Sequence, residues 1–512
     1  MNHTMALRFG GTFNLRFDDT NPLKEDQKYV DAIKEDIEWL GLQPEIYFGS
    51  DYAAEILEAA TNLIRKGKAY VCDLTPEQIT AYRGTLTEPG RSSPYRERTI
   101  EENLSLFRRM EAGEFATSSR VLRAKIDMGS PNINLRDPVL YRIIHAEHYR
   151  TGNAWCIYPM YDFAHPIQDM IEGITHSLCS AEFKGHRPLY EWVLHELGAV
   201  EPPKQREFGR LNISGMVTSK RYLRELVELG YVDGWDDPRL PTLRGLRRRG
   251  VTPQGLLRFL RELDVFRNNS LVDSAMMDHY IRQDLKERCY NVMAVLHPLK
   301  VVLTNYPDEE ERLLLPHREG DEAMGVREVP FTRELFIERE DFMEEPVPSF
   351  HRLSPGKEVR LKGAYFIRCD HVFKDETTGD ILEIHCTYDP LTKSGSGFNA
   401  RKVKSTLHWV SAEHGIKAEL HLYQPLLKAS AVLLESDNDW TELANPNSLI
   451  TIEGAILEPS MRDAVPDRTY QFIRHGYFCV DSKFSMHSRP VFNRIVSLKD
   501  SWKQPEREPD GS

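Results

Sequence analysis

Positive charge, long apolar runs and paired cysteines are what this sequence has too little of. The seven cysteines, Cys72, Cys156, Cys179, Cys289, Cys369, Cys386 and Cys479, are odd in number and far apart, with no CxxC and no Cys/His zinc spacing. That excludes a disulfide-stapled secreted domain and a zinc module, and free thiols of a reducing compartment are expected, hence a cytoplasmic protein. No run approaches about 18 apolar residues, so no membrane span is expected. Residues 1–10, Met-Asn-His-Thr-Met-Ala-Leu-Arg-Phe-Gly, have no apolar h-region, so no secretory leader is expected. Lys and Arg number 66 against 78 Asp and Glu, a net charge of −12. A histone-like or polybasic protein is excluded, but a nucleic-acid enzyme needs only a local basic surface. Internal repeats and low-complexity tracts are absent too.

What is present is ordinary globular composition. With 512 residues, 40% hydrophobic and 10% aromatic, the chain can build three or four cores at about 150 residues each. Phe13–Phe17 reads as a short strand, and Asp18-Asp19-Thr20-Asn21-Pro22 as the loop into a helix. Tyr29, Ile33, Ile37 and Leu40 share one helical face, with Gly41 as the stop. A second helix, about 52–66, carries Ile56, Ala60, Leu63 and Ile64 and ends at Gly67. This is the rhythm of a parallel α/β sheet. Residues 75–150 interrupt it: Thr75-Pro76-Glu77 opens a helix, while 121–126 and 139–144 read as strands of an insertion. The α/β pattern resumes near 157 and runs to about 212. Residues 222–285 read as helical. Beyond about 290, short β-rich runs at 292–296, 364–367, 406–410 and 448–452 alternate with Gly, Pro and Asp turns, as in all-β barrels. Charge is uneven as well. Residues 204–249 hold 11 Lys/Arg against 6 Asp/Glu, and 306–345 hold 14 Asp/Glu against 5 Arg, which points to surfaces with different partners. Lys503–Ser512 reads as a frayed polar tail and lies outside the residues described below.

Four clusters could carry chemistry. Arg16-Phe-Asp18-Asp19 sits at the C-terminal end of a strand, the edge where α/β sheets bind ligands. Adjacent Asp residues are as often helix caps; the alternative is a carboxylate for a ligand ammonium. Tyr161, Asp162, His165 and His176 are dense for a mostly buried sheet, though the two histidines lack the spacing of a helical zinc pair. Val217-Thr218-Ser219-Lys220-Arg221, ahead of a helix, is a common surface tripeptide that could also clamp phosphates. Arg247, Arg248 and Arg249 are either a solvated face or a contact to a phosphate backbone.

Taken in order, these residues resemble glutaminyl-tRNA synthetases, a family of class I aminoacyl-tRNA synthetases. The resemblance covers about residues 11–502. It is carried by Arg16-Phe-Asp-Asp-Thr-Asn-Pro22, Glu38-Trp-Leu-Gly41, Leu74-Thr-Pro-Glu77, Tyr82-Arg-Gly-Thr-Leu-Thr87 and Leu122-Arg-Ala-Lys-Ile-Asp-Met128. Further on come Arg136-Asp-Pro-Val-Leu-Tyr-Arg142, Trp155-Cys-Ile-Tyr-Pro-Met-Tyr-Asp-Phe163, Glu172-Gly-Ile-Thr-His-Ser-Leu-Cys179, Gly234-Trp-Asp-Asp-Pro-Arg239, Arg401-Lys-Val-Lys404 and Gly476-Tyr-Phe-Cys479. The resemblance implies ligation of glutamine to its tRNA through a glutaminyl-adenylate, with ATP as substrate, Mg²⁺, and tRNA(Gln) as partner of a monomeric chain. It implies Asp18 for the glutamine ammonium, Tyr161 for the side-chain amide and Cys179 for a neutral pocket. Ser180, Arg210, Leu211, Thr218, Ser219 and Lys220 would take ATP, with Lys220 and Ser219 acting on the phosphates. Arg339, Arg401, Arg247 and Arg248 are the tRNA candidates. The sister glutamyl-tRNA synthetases of eukaryotic type share the Arg-Phe-Asp-Asp-Thr-Asn-Pro motif, but have an Arg where Cys179 stands; a buried cation there would suit a carboxylate, a neutral thiol an amide.

The implied architecture is a Rossmann-type class I catalytic domain in two parts, 1–74 and 157–212, split by an acceptor-stem-binding insertion at 75–156. A Ser-Lys-Arg loop with helical subdomain (213–286), two anticodon-binding antiparallel β-barrels (287–502) and the 503–512 tail complete it. Two departures stand out. The family's His-Ile-Gly-His and the strand before it, upstream of Arg16, have no counterpart in these residues, and an N-terminally truncated catalytic domain is expected, or else a truncated synthetase that only binds tRNA. Gly185 stands where the family has an Asp facing the acceptor stem.

Overall fold

The computed structural model describes residues 1–263, 268–428, 444–466 and 468–500. They fall into two compact units: Met1–Leu211 with Asp264–Ser270, and Asn212–Leu263 with Leu271–Ser512.

In the first unit the helix at Ala53–Arg65 forms as its spacing requires, burying Ile56, Ala59, Ala60, Leu63 and Ile64. Gly67, at φ +69°, follows the stop. Helix Pro76–Arg83 starts on a capping box, with Thr75 accepting from the Gln78 N–H and the Gln78 side chain accepting from the Thr75 N–H. The helix over Gln27–Trp39 also forms, but the expected apolar face is not covered: only Val30 is buried, while Tyr29 and Ile33 stay exposed.

Strands Asn14–Phe17 and Glu45–Phe48 pair in parallel, as do His176–Ser180 and Lys204–Phe208. Between them in sequence lies a four-stranded antiparallel sheet in chain order: Ala69–Cys72, Val121–Ala124, Val139–Ile143 and Ile157–Pro159. The two strands read as an insertion therefore hydrogen-bond directly to their flanking segments. Their core, with Phe107, Tyr141, Ile157 and Phe163, is continuous with the buried face of Ala53–Arg65.

The second unit begins with four helices, Lys220–Glu228, Leu243–Arg249, Pro253–Glu262 and Ser274–Arg288. Two seven-stranded sheets follow, and both are mixed rather than antiparallel as expected: Pro298–Leu303 runs parallel to Ile381–Asp389 in one, and Ile416–Tyr423 parallel to Val491–Val496 in the other. In one, the end strands are Thr406–Leu407 and Val410–Ser411, only two residues apart in the chain. In the other they are Tyr290–Val292 and Ala294–Val295, one residue apart. A sheet whose two edges are neighbours in sequence must curl back on itself, so both are barrel-like and neither leaves a long free edge. Trp409, fully buried with Phe331 edge-on at 4.9 Å, fills the first barrel. Phe472, Phe478 and Phe492 fill the second. Among the described residues, no helix is long and apolar enough to cross a membrane.

Candidate active site

The two aspartates of the Arg-Phe-Asp-Asp motif have separate tasks. Asp19 is buried and accepts hydrogen bonds from the Ser50 N–H (2.6 Å), the Ser50 hydroxyl (2.8 Å) and the Tyr149 hydroxyl (3.1 Å). It ties the end of strand Asn14–Phe17 to the turn at Gly49–Tyr52, while the cap of the following helix is Asp26. Gly49 permits this approach: a Cβ there would lie 2.8 Å from Gln168 Nε2 and 3.2 Å from Asp19 Oδ1.

Asp18 has a different environment. Burial pushes its carboxyl above the ordinary value, while His165 and Arg16 pull it back only in part. The Thr20 hydroxyl donates to it at a long 3.5 Å. A half-buried carboxylate held above its usual pKa is poised to gain from a bound cation.

Helix Tyr161–Ile171 lines the site with one face. Tyr161, His165 and Asp169, four residues apart, stack in register, and Glu172 follows one residue past the helix. The Tyr161 and His165 rings stack at 5.1 Å. His165 Nε2 lies 3.2 Å from Asp169 and 3.3 Å from the Ser177 hydroxyl. Asp169 also accepts from the Tyr190 hydroxyl (2.9 Å) and from Arg16 (2.6 Å), and Arg16 reaches Glu172 at 3.0 Å. Burial works to raise the Asp169 carboxyl, but His165 and Arg16 outweigh it and hold it at about 2. The phenol of Tyr161 is pushed up by burial first and then by Asp18 and Asp169, so it stays a neutral donor. The polar groups at 161–176 form a relay that fixes Tyr161 and Arg16.

Cys179 is buried on strand His176–Ser180, and its register partner on the parallel neighbour is Glu207. Burial and then Glu207 raise its thiol, while Gln205 hydrogen-bonds it. Arg187, the cation nearby, is neutralised by Glu207 at 3.3 Å. The wall around Cys179 therefore presents no spare positive charge. His165, Ser177, Gln205 and Glu207 were not singled out as pocket residues from sequence. The i, i+4, i+8 spacing from Tyr161 could have found His165 and Asp169; Gln205 and Glu207 come from strand pairing, which no local pattern announces.

Ser180 and Arg210 converge on Glu182: the Ser180 hydroxyl donates to Oε1 at 3.1 Å, and Arg210 lies 3.3 Å from Oε2. Leu211 opens the strand Leu211–Ile213. Thr218, Ser219 and Lys220 belong to the second unit, where Ser219 is the N-cap of helix Lys220–Glu228 and Thr218 and Lys220 are exposed. Gly185 closes a 3₁₀ turn, and its carbonyl accepts from Asn132 at 2.8 Å. A cavity lined by Asp19, Gly49, Ser50, His148, Trp155 and Tyr158 is distinct from the pocket, since Asp18, Tyr161 and Cys179 do not line it.

The arginine candidates divide. Arg248 is corrected: it is buried, paired with Asp481 and Asp233 at 3.1 Å each and with Asp236 at 3.5 Å, and it covers the Phe484 ring. Its guanidinium holds the helix Leu243–Arg249 to the second barrel, so it is not a phosphate contact. Arg247 is half-buried on that helix. Arg401 is exposed but clamped between Glu358 (2.9 Å) and Asp389 (2.7 Å) in a surface salt bridge. Arg339 is exposed and donates to the carbonyls of Ile381 and Pro298.

Among the described residues, one cluster has metal-ligand atoms within reach of one another: Glu338, His408 and His475. Arg474 donates to His408 Nδ1 at 3.4 Å, and His408 Nε2 lies 3.5 Å from Glu338. His475 reaches the same carboxylate at 2.9 Å.

Comparisons with known proteins agree along the whole chain. Residues 1–287 match the family model for tRNA synthetases class I (E and Q), catalytic domain. Residues 289–389 and 406–481 match two anti-codon binding domain models of the same group. The chain is 57% identical over 505 residues to a glutamine–tRNA ligase of Clostridium perfringens, covering 98% of this chain and 91% of the relative. It is 52% identical over 506 residues to a glutamine–tRNA ligase of Pseudomonas putida, covering 98% and 89%. A crystal structure of a glutamate tRNA ligase from Elizabethkingia meningosepticum aligns with 18% identity and a TM-score of 0.41, covering 56% of this chain and 65% of that one, a likeness too slight to build on.

Proposed function

Because the chain belongs to the class I tRNA synthetases of the E and Q type, with their catalytic and anticodon-binding domains, we propose that it is a glutamine–tRNA ligase. It joins glutamine to its cognate tRNA with ATP. The observation that carries this reading is the identity of 57% across 98% of the chain to a protein of that name.

The chemistry has two steps. The glutamine carboxylate attacks the α-phosphate of ATP, forming glutaminyl-adenylate and releasing pyrophosphate. A terminal ribose hydroxyl of the tRNA then displaces AMP and takes the glutaminyl group. Mg²⁺ enters as part of the nucleotide substrate, held by phosphate oxygens and water. Asp18 receives the glutamine ammonium, which relieves its raised pKa. Tyr161, kept neutral and oriented by the His165 stack, faces the side-chain amide. Cys179, with Arg187 neutralised by Glu207, leaves no cation for a glutamate carboxylate. Ser180, Arg210 and Leu211 flank the nucleoside, and Thr218, Ser219 and Lys220 meet the phosphates. Lys220 stabilises charge developing in the transition state, so Lys220→Ala should lower kcat with little change in KM, by about 2–4 kcal/mol.

The finer architecture is the one expected above: catalytic parts at 1–74 and 157–212, an acceptor-stem insertion at 75–156, helices at 213–286 and anticodon barrels at 287–502. The chain works as a monomer in the cytoplasm. Arg339, Arg401 and Arg247 serve the tRNA, with Arg401 leaving its carboxylates to do so.

The test is tRNA charging with glutamine and with glutamate. Glutamine should be charged with the higher kcat/KM, and glutamate charged as well as glutamine would overturn the function.

A further inference from the structure

Five of the seven cysteines have partners other than sulfur. Cys72 meets the Ser93 hydroxyl, Cys156 the Met110 carbonyl, Cys179 the Gln205 side chain, Cys289 the Thr469 hydroxyl and Cys479 the Arg249 carbonyl. Cys369 and Cys386 instead meet each other. They are directly opposed on the antiparallel strands Phe366–Lys374 and Ile381–Asp389. Both are free thiols, fully buried in the core of the first barrel.

The hydrogen-bond directions fix what kind of pair this is. The Cys369 carbonyl accepts from the Gly356 N–H at 2.8 Å, and the Cys386 carbonyl from the Thr304 N–H at 2.9 Å. Both carbonyls thus point away from the partner cysteine. A strand residue's N–H and C=O lie on the same side, so Cys369 and Cys386 form a non-hydrogen-bonded pair. In such pairs the Cα atoms are about 4.5 Å apart and the side chains are at their closest. That separation lies at the short end of the range a disulfide spans. The bulge after Cys369 adds local freedom where a bond would have to close. The Cys369 thiol donates to the His371 carbonyl at 3.8 Å. Cys386 draws the Cys369 thiol down, while Cys369 and burial raise the Cys386 thiol. Cys369 is therefore the readier nucleophile of the two.

We propose that Cys369 and Cys386 are a reversible oxidation site, converted to an intrachain disulfide by a peroxide. The Cys369 sulfur attacks one peroxide oxygen, the O–O bond breaks, and the proton shed by the Cys369 thiol joins the departing hydroxide, so that a sulfenic acid and one water result. The Cys386 sulfur then attacks the Cys369 sulfur, the S–O bond breaks, and the hydroxyl leaves as a second water with the Cys386 proton. Two thiols and one hydrogen peroxide give one disulfide and two waters. Hydrogen peroxide is small enough to reach a buried pair during local opening of the hairpin. A dithiol reductant reopens such a bond by thiol–disulfide exchange.

The experiment treats the folded 512-residue chain with hydrogen peroxide, quenches it, and alkylates free thiols in denaturant. Thiol titration should fall from seven to five. Mass spectrometry should find the peptides bearing Cys369 and Cys386 joined, with the loss of two hydrogens. Dithiothreitol should restore seven thiols. In Cys369→Ala, Cys386 should stay reduced. In Cys386→Ala, Cys369 should gain oxygen instead of a sulfur partner, because its resolving thiol is gone. Circular dichroism checks that each variant is folded; the wild-type chain decides the matter if a variant is not. Seven thiols surviving in folded wild-type protein, or a disulfide joining other cysteines, would overturn the proposal.

Discussion

Asp18 and Asp19 are neighbours in sequence with opposite environments, and pH separates them and the groups around them. Asp169 is the group most strongly held, at about 2 against an ordinary 3.8. A depressed carboxylate stabilises the fold above its unfolded pKa, and that stabilisation disappears as pH falls through the folded value. Asp169 should therefore contribute about 2 kcal/mol above roughly pH 4, lost between there and pH 2. Urea unfolding of wild type and Asp169→Asn should converge as pH drops through that window; a constant difference would contradict it. Glu25 runs the other way. Burial first, and then Asp18 and Asp19, raise it from 4.5 to about 7. Its charged form is disfavoured in the fold, so stability falls as pH rises from 4.5 to 7, and Glu25→Gln should be more stable than wild type at pH 8 by thermal unfolding. Asp18, Tyr161 and Cys179 were named from sequence because they stand in long ordered motifs. The raised Glu25 was not, because burial and carboxylate neighbours are set by how the loop folds.

At the scale of elements, local chemistry was readable and packing partners were not. The helix at Ala53–Arg65 and the capping box at Thr75 follow from spacing and side-chain type alone. The uncovered face of Gln27–Trp39 does not, since Tyr29 and Ile33 have the right period but only Val30 is buried. Arg248 makes the same point: a run of three arginines looks like a phosphate contact until Asp481, 233 residues on, is placed beside it. Arg248→Ala would leave Asp481 buried without its cation and should destabilise by about 3–5 kcal/mol. A mutant with unchanged melting but a reduced salt dependence of tRNA binding would restore the phosphate reading. The parallel strands His176–Ser180 and Lys204–Phe208 set the design of a specificity change. Cys179→Arg should shift preference toward glutamate, but Glu207 in register would compete for the new cation. Cys179→Arg with Glu207→Gln should shift it further, read as the ratio of kcat/KM for the two amino acids.

For the whole molecule, the family could be read from the ordered motifs between about residues 11 and 502, and much of the course of the chain from turns, caps and alternating runs. Closure of the two barrels could not: it depends on edge strands separated by two residues in one case and one in the other, too short to stand out as strands. The central claim is that this molecule selects glutamine by polarity, with Asp18 and Tyr161 beside an uncharged wall at Cys179. Shape cannot separate glutamine from glutamate, but mispaired buried polar groups can, by up to about 10⁴-fold in sites built to hydrogen-bond their ligand. The most direct measurement is calorimetric binding of the non-hydrolysable glutaminyl- and glutamyl-sulfamoyl adenosines to the 512-residue chain. These carry the amino acid and nucleoside without requiring ATP turnover. The account predicts that the glutaminyl compound binds at least about 100-fold tighter, and that Tyr161→Phe erodes the gap. Equal affinity for the two compounds would contradict it.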